Sequence, residues 1–173
     1  QLSSANAVRA LPPEDSVFLL TKLVEAHPGI HWLALHDEFI PKEYVEQLQA
    51  QIAARSLTNV EVACFSNLRE LWALTEWASV VVAPDSMMVH IAGCFGTPCV
   101  GLWGPVPPGK RATYYANHHA IHHPEFCEHA PCHADSANFP RYCPPKPNGR
   151  KVCELLAGIA PEEVIELVSK VAR

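Results

Sequence analysis

The sequence contains no apolar run approaching the ~20 residues that a membrane-spanning helix requires. Its first residues lack a basic segment followed by an apolar core, so they do not read as a secretory leader. A basic excess is missing too. Thirteen Lys and Arg stand against eighteen Asp and Glu, a formal charge of −5, which argues against a general nucleic-acid binder with a cationic face. Ten histidines would soften that balance only in an acidic setting. No internal repeat stands out. Seven cysteines are present, yet no two have the C-x2-C spacing of ordinary zinc ribbons. The chain opens on QLSS without a methionine, which reads as a fragment or a processed chain.

What is present fits one α/β domain. The 173 residues are 49% apolar, enough for a sizeable core. Helical spacing predicts helices over about Glu14 to His27, Pro41 to Arg55, Asn67 to Ala78 with Ser66 as N-cap, Asp85 or Ser86 to Phe95, and Pro161 to Val171. Between them lie short apolar runs: Ile30 to Leu35, Val60 to Ala63, Val80 to Ala83, Cys99 to Trp103 and a last one at His119 to His122. Gln1 to Ser4 reads as the end of another strand. Strands that are apolar throughout, alternating with helices, indicate a parallel sheet with helices on both faces. In such sheets ligands sit outside the carboxyl ends of the strands. That rule places Ser3, Ser4 and Asn6, His36 to Glu38, Phe65 and Ser66, Pro84 to Ser86, and Gly104 and Pro105 on one rim. Trp32, Trp72 and Trp77 read as core or helix-packing residues. Cys64, Cys94 and Cys99 read as structural thiols, and His118 and His119 as a surface pair. Trp103, at a strand end, either packs or lines a base or sugar pocket.

The stretch VVVAPDSMMVHIAGCFGTPCVGLWGPVPPGKRATYY, Val80 to Tyr115, carries the most chemistry. APDS opens a helix directly after a strand, where free amides and the helix dipole suit an anionic oxygen. His90 lies one turn beyond Ser86 on the same face. The bland alternative is a capping Asp85 and a satisfied buried histidine. In the loop GLWGPVPPGKR, Gly104 permits close backbone approach, and Lys110 and Arg111 are bases able to meet phosphate. Its alternative is a rigid surface loop with two solvated bases.

DSMMVHIAGCFGTPCVGLWGP resembles the donor domain of glycosyltransferase family 9, the heptosyltransferase-like enzymes. Asp85, Ser86, His90, Gly96, Thr97, Pro98, Gly104 and Pro105 match that family's pattern. SSANAVRALPPE resembles its first strand–loop–helix, with Arg9 at the basic position, and IAPEEV its last helix. The resemblance spans most of the chain, with Asp85 to Pro105 its specific part. It implies the Rossmann-like C-terminal half of a GT-B fold: one nucleotide-sugar-binding domain over residues 1–173, a Cys/His-rich insertion at about 118–153, and the N-terminal half absent. It implies that Ser4, Arg9 and the amides around Ser86 and Met87 hold the donor diphosphate. Asp85 and His90 would shape that site, Gly104 and Lys110 would complete it, and one of His36, Asp37 and Glu38 would lie near the ribose or base. Met87 departs from the pattern, which has glycine there.

The expected reaction is inverting sugar transfer, needing no metal, with the general base in the N-terminal half. No catalytic residue is therefore expected in this chain, which alone would bind donor weakly and transfer little or no sugar. The implied partners are a nucleotide-diphosphate sugar, the N-terminal domain and a glycan or lipid-linked acceptor, usually lipopolysaccharide; nucleic acid is not expected. The implied location is cytoplasmic, with the periphery of the inner membrane as its finer reading. The alternatives are a non-catalytic nucleotide- or sugar-binding module and an interaction domain organised by the Cys/His loop. That loop runs Cys127-x4-Cys132-x10-Cys143-x9-Cys153 with histidines before and between. Thiolates and imidazoles are zinc's preferred ligands, so a structural zinc, two disulfides and free thiols all stand as readings.

Overall fold

The computed structural model of the chain describes residues 9–132 and 153–173. The strand expected at Gln1 to Ser4 lies outside them, as do the middle of the Cys/His-rich stretch, Ser4 and Cys143.

The described elements follow in the order α1 (Pro13–Ala26), β1 (Trp32–His36), α2 (Lys42–Ala54), β2 (Val60–Cys64), α3 (Leu68–Trp77), β3 (Val81–Pro84), α4 (Met87–Phe95), β4 (Cys99–Leu102), β5 (His118–Ile121), α5 (Glu154–Ala157) and α6 (Pro161–Val171). Every strand pair is parallel: β1 with β2, β3 with β4, and β4 with β5. Among the described residues these pairs form two sheets, β1–β2 and β3–β4–β5.

Strand β4 shows why the sequence reads as a continuous apolar run. All four of its residues are buried. With a period of two, Val100 and Leu102 enter one core cluster with α1, α5 and α6. Cys99 and the following Trp103 enter the other, with α3, β3 and α4. A strand covered on both faces has no solvent side, so it has no polar positions. Full burial of Val100 or Leu102 contributes about 1.5–3 kcal/mol each.

The helices follow from their apolar stripes and end signals. In α1, Pro13 opens the helix, Glu14 and Asp15 favour its positive end, and Ser16, Leu19, Leu20 and Leu23 line its buried face. Helix α3 corrects the expected cap: Asn67, not Ser66, accepts a bond from the Glu70 N–H at 3.0 Å. The Ser66 hydroxyl turns instead to the Glu70 carboxylate, at 3.2 Å. Helix α4 ends on Gly96, whose left-handed φ of 66° glycine adopts without strain. Thr97, fully buried, then donates its hydroxyl to the Thr75 carbonyl at 2.8 Å, tying α4's exit to α3.

Four apolar positions expected inside lie outside. Trp72 is 44% and Trp77 87% exposed. The packing stripe of α3 runs through Leu71 and Thr75, and Trp72 and Trp77 fall about 80° and about 140° off its centre. Cys64 and Cys94 are exposed as well, the first at the end of β2 and the second off the buried stripe of α4. Trp32 and Cys99 are buried as expected, and burial pushes the Cys99 thiol up to about 12.

Candidate functional site

The carboxyl end of β3 delivers Asp85 to the start of α4, where it is 2% exposed. A buried carboxylate needs compensating charge, and two guanidiniums provide it. Arg9 approaches from the segment before α1, its Nη1 3.4 Å from Asp85 Oδ2 and 3.3 Å from the Asp85 carbonyl. Arg111 approaches from the loop after β4, its Nε 3.7 Å from the same Oδ2. Three segments far apart in sequence thus meet at one carboxylate. Two cations around one anion leave one formal positive charge at the positive end of α4. Asp85 fixes the guanidiniums, and their remaining N–H groups can face an anionic oxygen. That arrangement suits phosphate.

Ser86 is the N-cap of α4 without making the capping bond through its side chain. Met87 follows with its side chain 41% exposed. Its φ is not positive, since Ser56 is the only non-glycine with positive φ among the described residues. The backbone here therefore does not demand glycine. His90, half-buried one turn later, places Nδ1 3.1 Å from the Tyr115 hydroxyl.

Gly104 is buried. A Cβ there would stand 3.0 Å from Leu156 Cγ and 3.4 Å from Cys153 Sγ, so packing against α5 accounts for the glycine. Lys110 ends a 3-10 turn, Pro108–Lys110, and is exposed. Its neighbour Arg111 is the base that reaches Asp85. The doublet KR was the visible signal, but only the turn decides which base points inward.

On the β1 rim, His36 Nδ1 lies 3.0 Å from the Asp37 carbonyl. The Asp37 carboxylate accepts the Phe39 N–H at 2.9 Å in a local turn. Trp103, at 0% exposure, lines no open pocket; its indole N–H donates to His118 Nε2 at 3.1 Å. His118 is thus a half-buried packing residue rather than a surface one. Burial first, then the charges of His119 and His90, lower its pKa. His123 bonds Glu163 at 2.9 Å and Glu125 at 3.2 Å, pinning the segment after β5 to α6.

A cavity of about 280 Å³ opens elsewhere, between the two sheets. Among the described residues, its lining, from Leu20 and Leu23 through β1 to Leu74 and Val82, holds no Lys, Arg, Asp or Glu. It includes none of Arg9, Asp85, His90 or Arg111 and is a poor match for a diphosphate. Cys64, Cys94, Cys99 and Cys127 carry free thiols. Cys153 is 2% exposed in the core cluster against which Cys127 packs. No group of three or more potential metal ligands comes together among the described residues, and Cys143 lies outside them.

Three comparisons bear on these features. The family described as "Glycosyltransferase family 9 (heptosyltransferase)" matches residues 33–142. The lipopolysaccharide core heptosyltransferase OpsX of Haemophilus influenzae is 34% identical over 73 residues, which are 42% of this chain and 21% of that protein. The structure of E. coli ADP-heptose LPS heptosyltransferase II superposes with a TM-score of 0.68 at 16% identity, covering 98% of this chain and 44% of that one. The chain thus spans less than half of the solved structure it resembles.

Proposed function

The chain belongs to glycosyltransferase family 9, and on that premise we propose that it is the donor-binding half of an inverting GT-B sugar transferase. The observation that carries this reading is the convergence of Arg9 and Arg111 on buried Asp85 at the start of α4. A nucleotide diphosphate would set its phosphate oxygens against the first amides of α4, around Ser86 and Met87, and against the guanidinium N–H groups. As the glycosidic bond breaks, negative charge grows on the leaving diphosphate. Donors already aimed at that charge stabilise it without reorganising. Ser4, which lies outside the described residues, and Lys110 remain proposed contributors. One of His36, Asp37 and Glu38 is the proposed neighbour of the ribose or base, because they sit at the same carboxyl-end rim.

The whole enzyme would need a second half to bring the acceptor and the general base. The solved neighbour is named for ADP-heptose and the H. influenzae relative for the lipopolysaccharide core. We take an ADP-linked sugar as the donor class and a lipopolysaccharide-type glycan as the acceptor class. No helix among the described residues is long and apolar enough to cross a membrane. Action at the cytoplasmic face of the inner membrane is part of the proposal. So is a structural zinc on Cys127, Cys132, Cys143 and Cys153, which metal analysis of protein purified under reductant would test.

Calorimetric titration of the chain with ADP, UDP, GDP and inorganic pyrophosphate tests the central reading. The expected result is weak, saturable binding of one nucleoside diphosphate, with no sugar transfer by the chain alone. Absence of binding for all four would overturn the donor-site reading. Full transfer by the isolated chain would overturn its assignment as a half-enzyme.

A further inference from the structure

Tyr115 ends the stretch that carries the most chemistry, and its placement is closely determined. We propose that Tyr115 is a positioning residue: its phenol donates to Nδ1 of His90, holds the imidazole in the tautomer protonated at Nε2, and so presents an N–H to an anionic oxygen of the donor. The proposal rests on the donor-binding reading for its ligand, but not for its geometry.

The geometry begins at Gly93. A Cβ at that position would stand 2.3–2.6 Å from three carbons of the Tyr115 ring. Any side chain there would therefore displace the ring. With glycine, the ring lies against α4 and its hydroxyl reaches back to His90, 3.1 Å from Nδ1. The two rings meet edge to face, with centroids 5.8 Å apart and planes at 66°.

The segment carrying Tyr115 is pinned on both sides. The Tyr115 N–H donates to the Ala112 carbonyl at 3.2 Å, and its carbonyl accepts the His118 N–H at 3.2 Å. Two residues on, the Asn117 amide donates to the Ala92 carbonyl of α4 at 2.9 Å and to the Thr97 carbonyl. The phenol is thus fixed relative to the helix that carries His90. That is the condition for one side chain to orient another.

The chemistry sets the direction of the bond. Among the described residues, His90 Nδ1 is the hydrogen-bond partner of the Tyr115 hydroxyl. A phenol is a far better proton donor than a neutral imidazole N–H, and the unprotonated imidazole nitrogen is a good acceptor. The favoured arrangement is O–H donating to Nδ1. The partner of one ring nitrogen decides which nitrogen carries the proton, so Nε2 becomes the donor. His90 sits one helical turn beyond Ser86 on the face that starts at the anion-favouring end of α4. An Nε2–H there adds one directional donor to a site otherwise built from guanidiniums and amides.

The test uses the full chain with ¹⁵N-labelled histidine. Two-bond proton–nitrogen correlation spectra at about pH 8, where histidines are neutral, report the tautomer of His90 without any ligand. The expected spectrum shows Nε2–H in the parent chain and a mixed population in Tyr115→Phe, which keeps the ring against Gly93. Tyr115→Phe should also weaken ADP binding about three- to tenfold. In a His90→Gln background, whose amide nitrogen stands in for Nε2, the same change should cost less than about twofold. An unchanged tautomer in Tyr115→Phe, or an equal loss of affinity in both backgrounds, would overturn the proposal. If the parent chain binds no nucleoside diphosphate, the donor-site reading fails, while the ligand-free spectrum still decides Tyr115's role.

Discussion

The two sheets formed by the described strands are unequally built. In β3 and β4 seven of eight residues are buried, with apolar partners on both faces. In β1 and β2 only Trp32 and Leu35 are, and Leu33 and Glu61 face solvent. The candidate site stands on the doubly covered half. A residue such as Asp85 can be held at 2% exposure only where packing on both sides fixes the strand end that carries it. The β1–β2 half contributes rim residues in local turns, His36 and Asp37, and nothing comparably constrained.

The sharpest contrast is between two glycines. A Cβ at Gly101, in β4, would stand 2.3 Å from His118 Nε2 and 2.5 Å from Trp103 Nε1, whereas one at Gly29, before β1, meets nothing within 4 Å. Gly101→Val should destabilise by about 3 kcal/mol through overpacking and loss of the indole–imidazole bond. Gly29→Ala should stay within about 0.5 kcal/mol. Urea unfolding of both variants measures the difference, and similar losses would remove the contrast between the two halves.

The next largest effect concerns binding. Arg9→Ala should weaken nucleoside diphosphate binding about tenfold or more, the value of a charge-assisted bond. Arg111→Ala, whose side chain is 38% exposed, should cost about three- to tenfold. Lys110→Ala should cost less than about twofold, because an exposed charge is screened. Calorimetry on the three variants ranks them; Lys110 exceeding Arg111 would reverse the assignment of the inward-facing base.

The smallest effect is a pair of opposite pH dependences. His118, beside β4, has its pKa lowered by burial and by His119 and His90. A depressed folded value means that stability is retained above the unfolded pKa of about 6.5 and lost as pH falls below it. For His123, burial pulls the pKa down, but bonds to Glu163 and Glu125 outweigh it and the net shift is upward. Its contribution is full below about pH 6.5 and is lost as pH rises through the raised value. Unfolding midpoints between about pH 5 and 8 should show His118→Gln gaining on the parent in acid. They should show His123→Ala losing most in acid and least in base. Each difference should be about 0.5 kcal/mol, and parallel curves would contradict both assignments.

Much of this was legible in the sequence. The apolar runs named five parallel strands, and the helix stripes named their covers, because period and burial are local consequences of residue type. The turn APDS marked an anion-favouring helix start for the same reason. The misreadings share another cause. Trp72, Trp77, Cys64 and Cys94 are apolar by type, but their exposure depends on which stripe or edge each occupies. Asn67 and Ser66 are equally good caps by chemistry, and only the chain's path into α3 chooses between them.

By itself, then, the sequence determined the α/β alternation, the strand–helix junction with Asp85 and Ser86, and the resemblance carried by Asp85 to Pro105. All of these are written in neighbouring residues. Tertiary structure decided that Arg9 and Arg111 share the Asp85 carboxylate, that Lys110 does not, that Trp103 is sealed against His118, and that Tyr115 reaches His90 over Gly93. The physical reason is separation along the chain. Arg9 and Asp85 are 76 residues apart and His90 and Tyr115 are 25 apart, and no local rule of spacing or propensity carries information over such distances. Only the packing of parallel strands brings their ends to one rim.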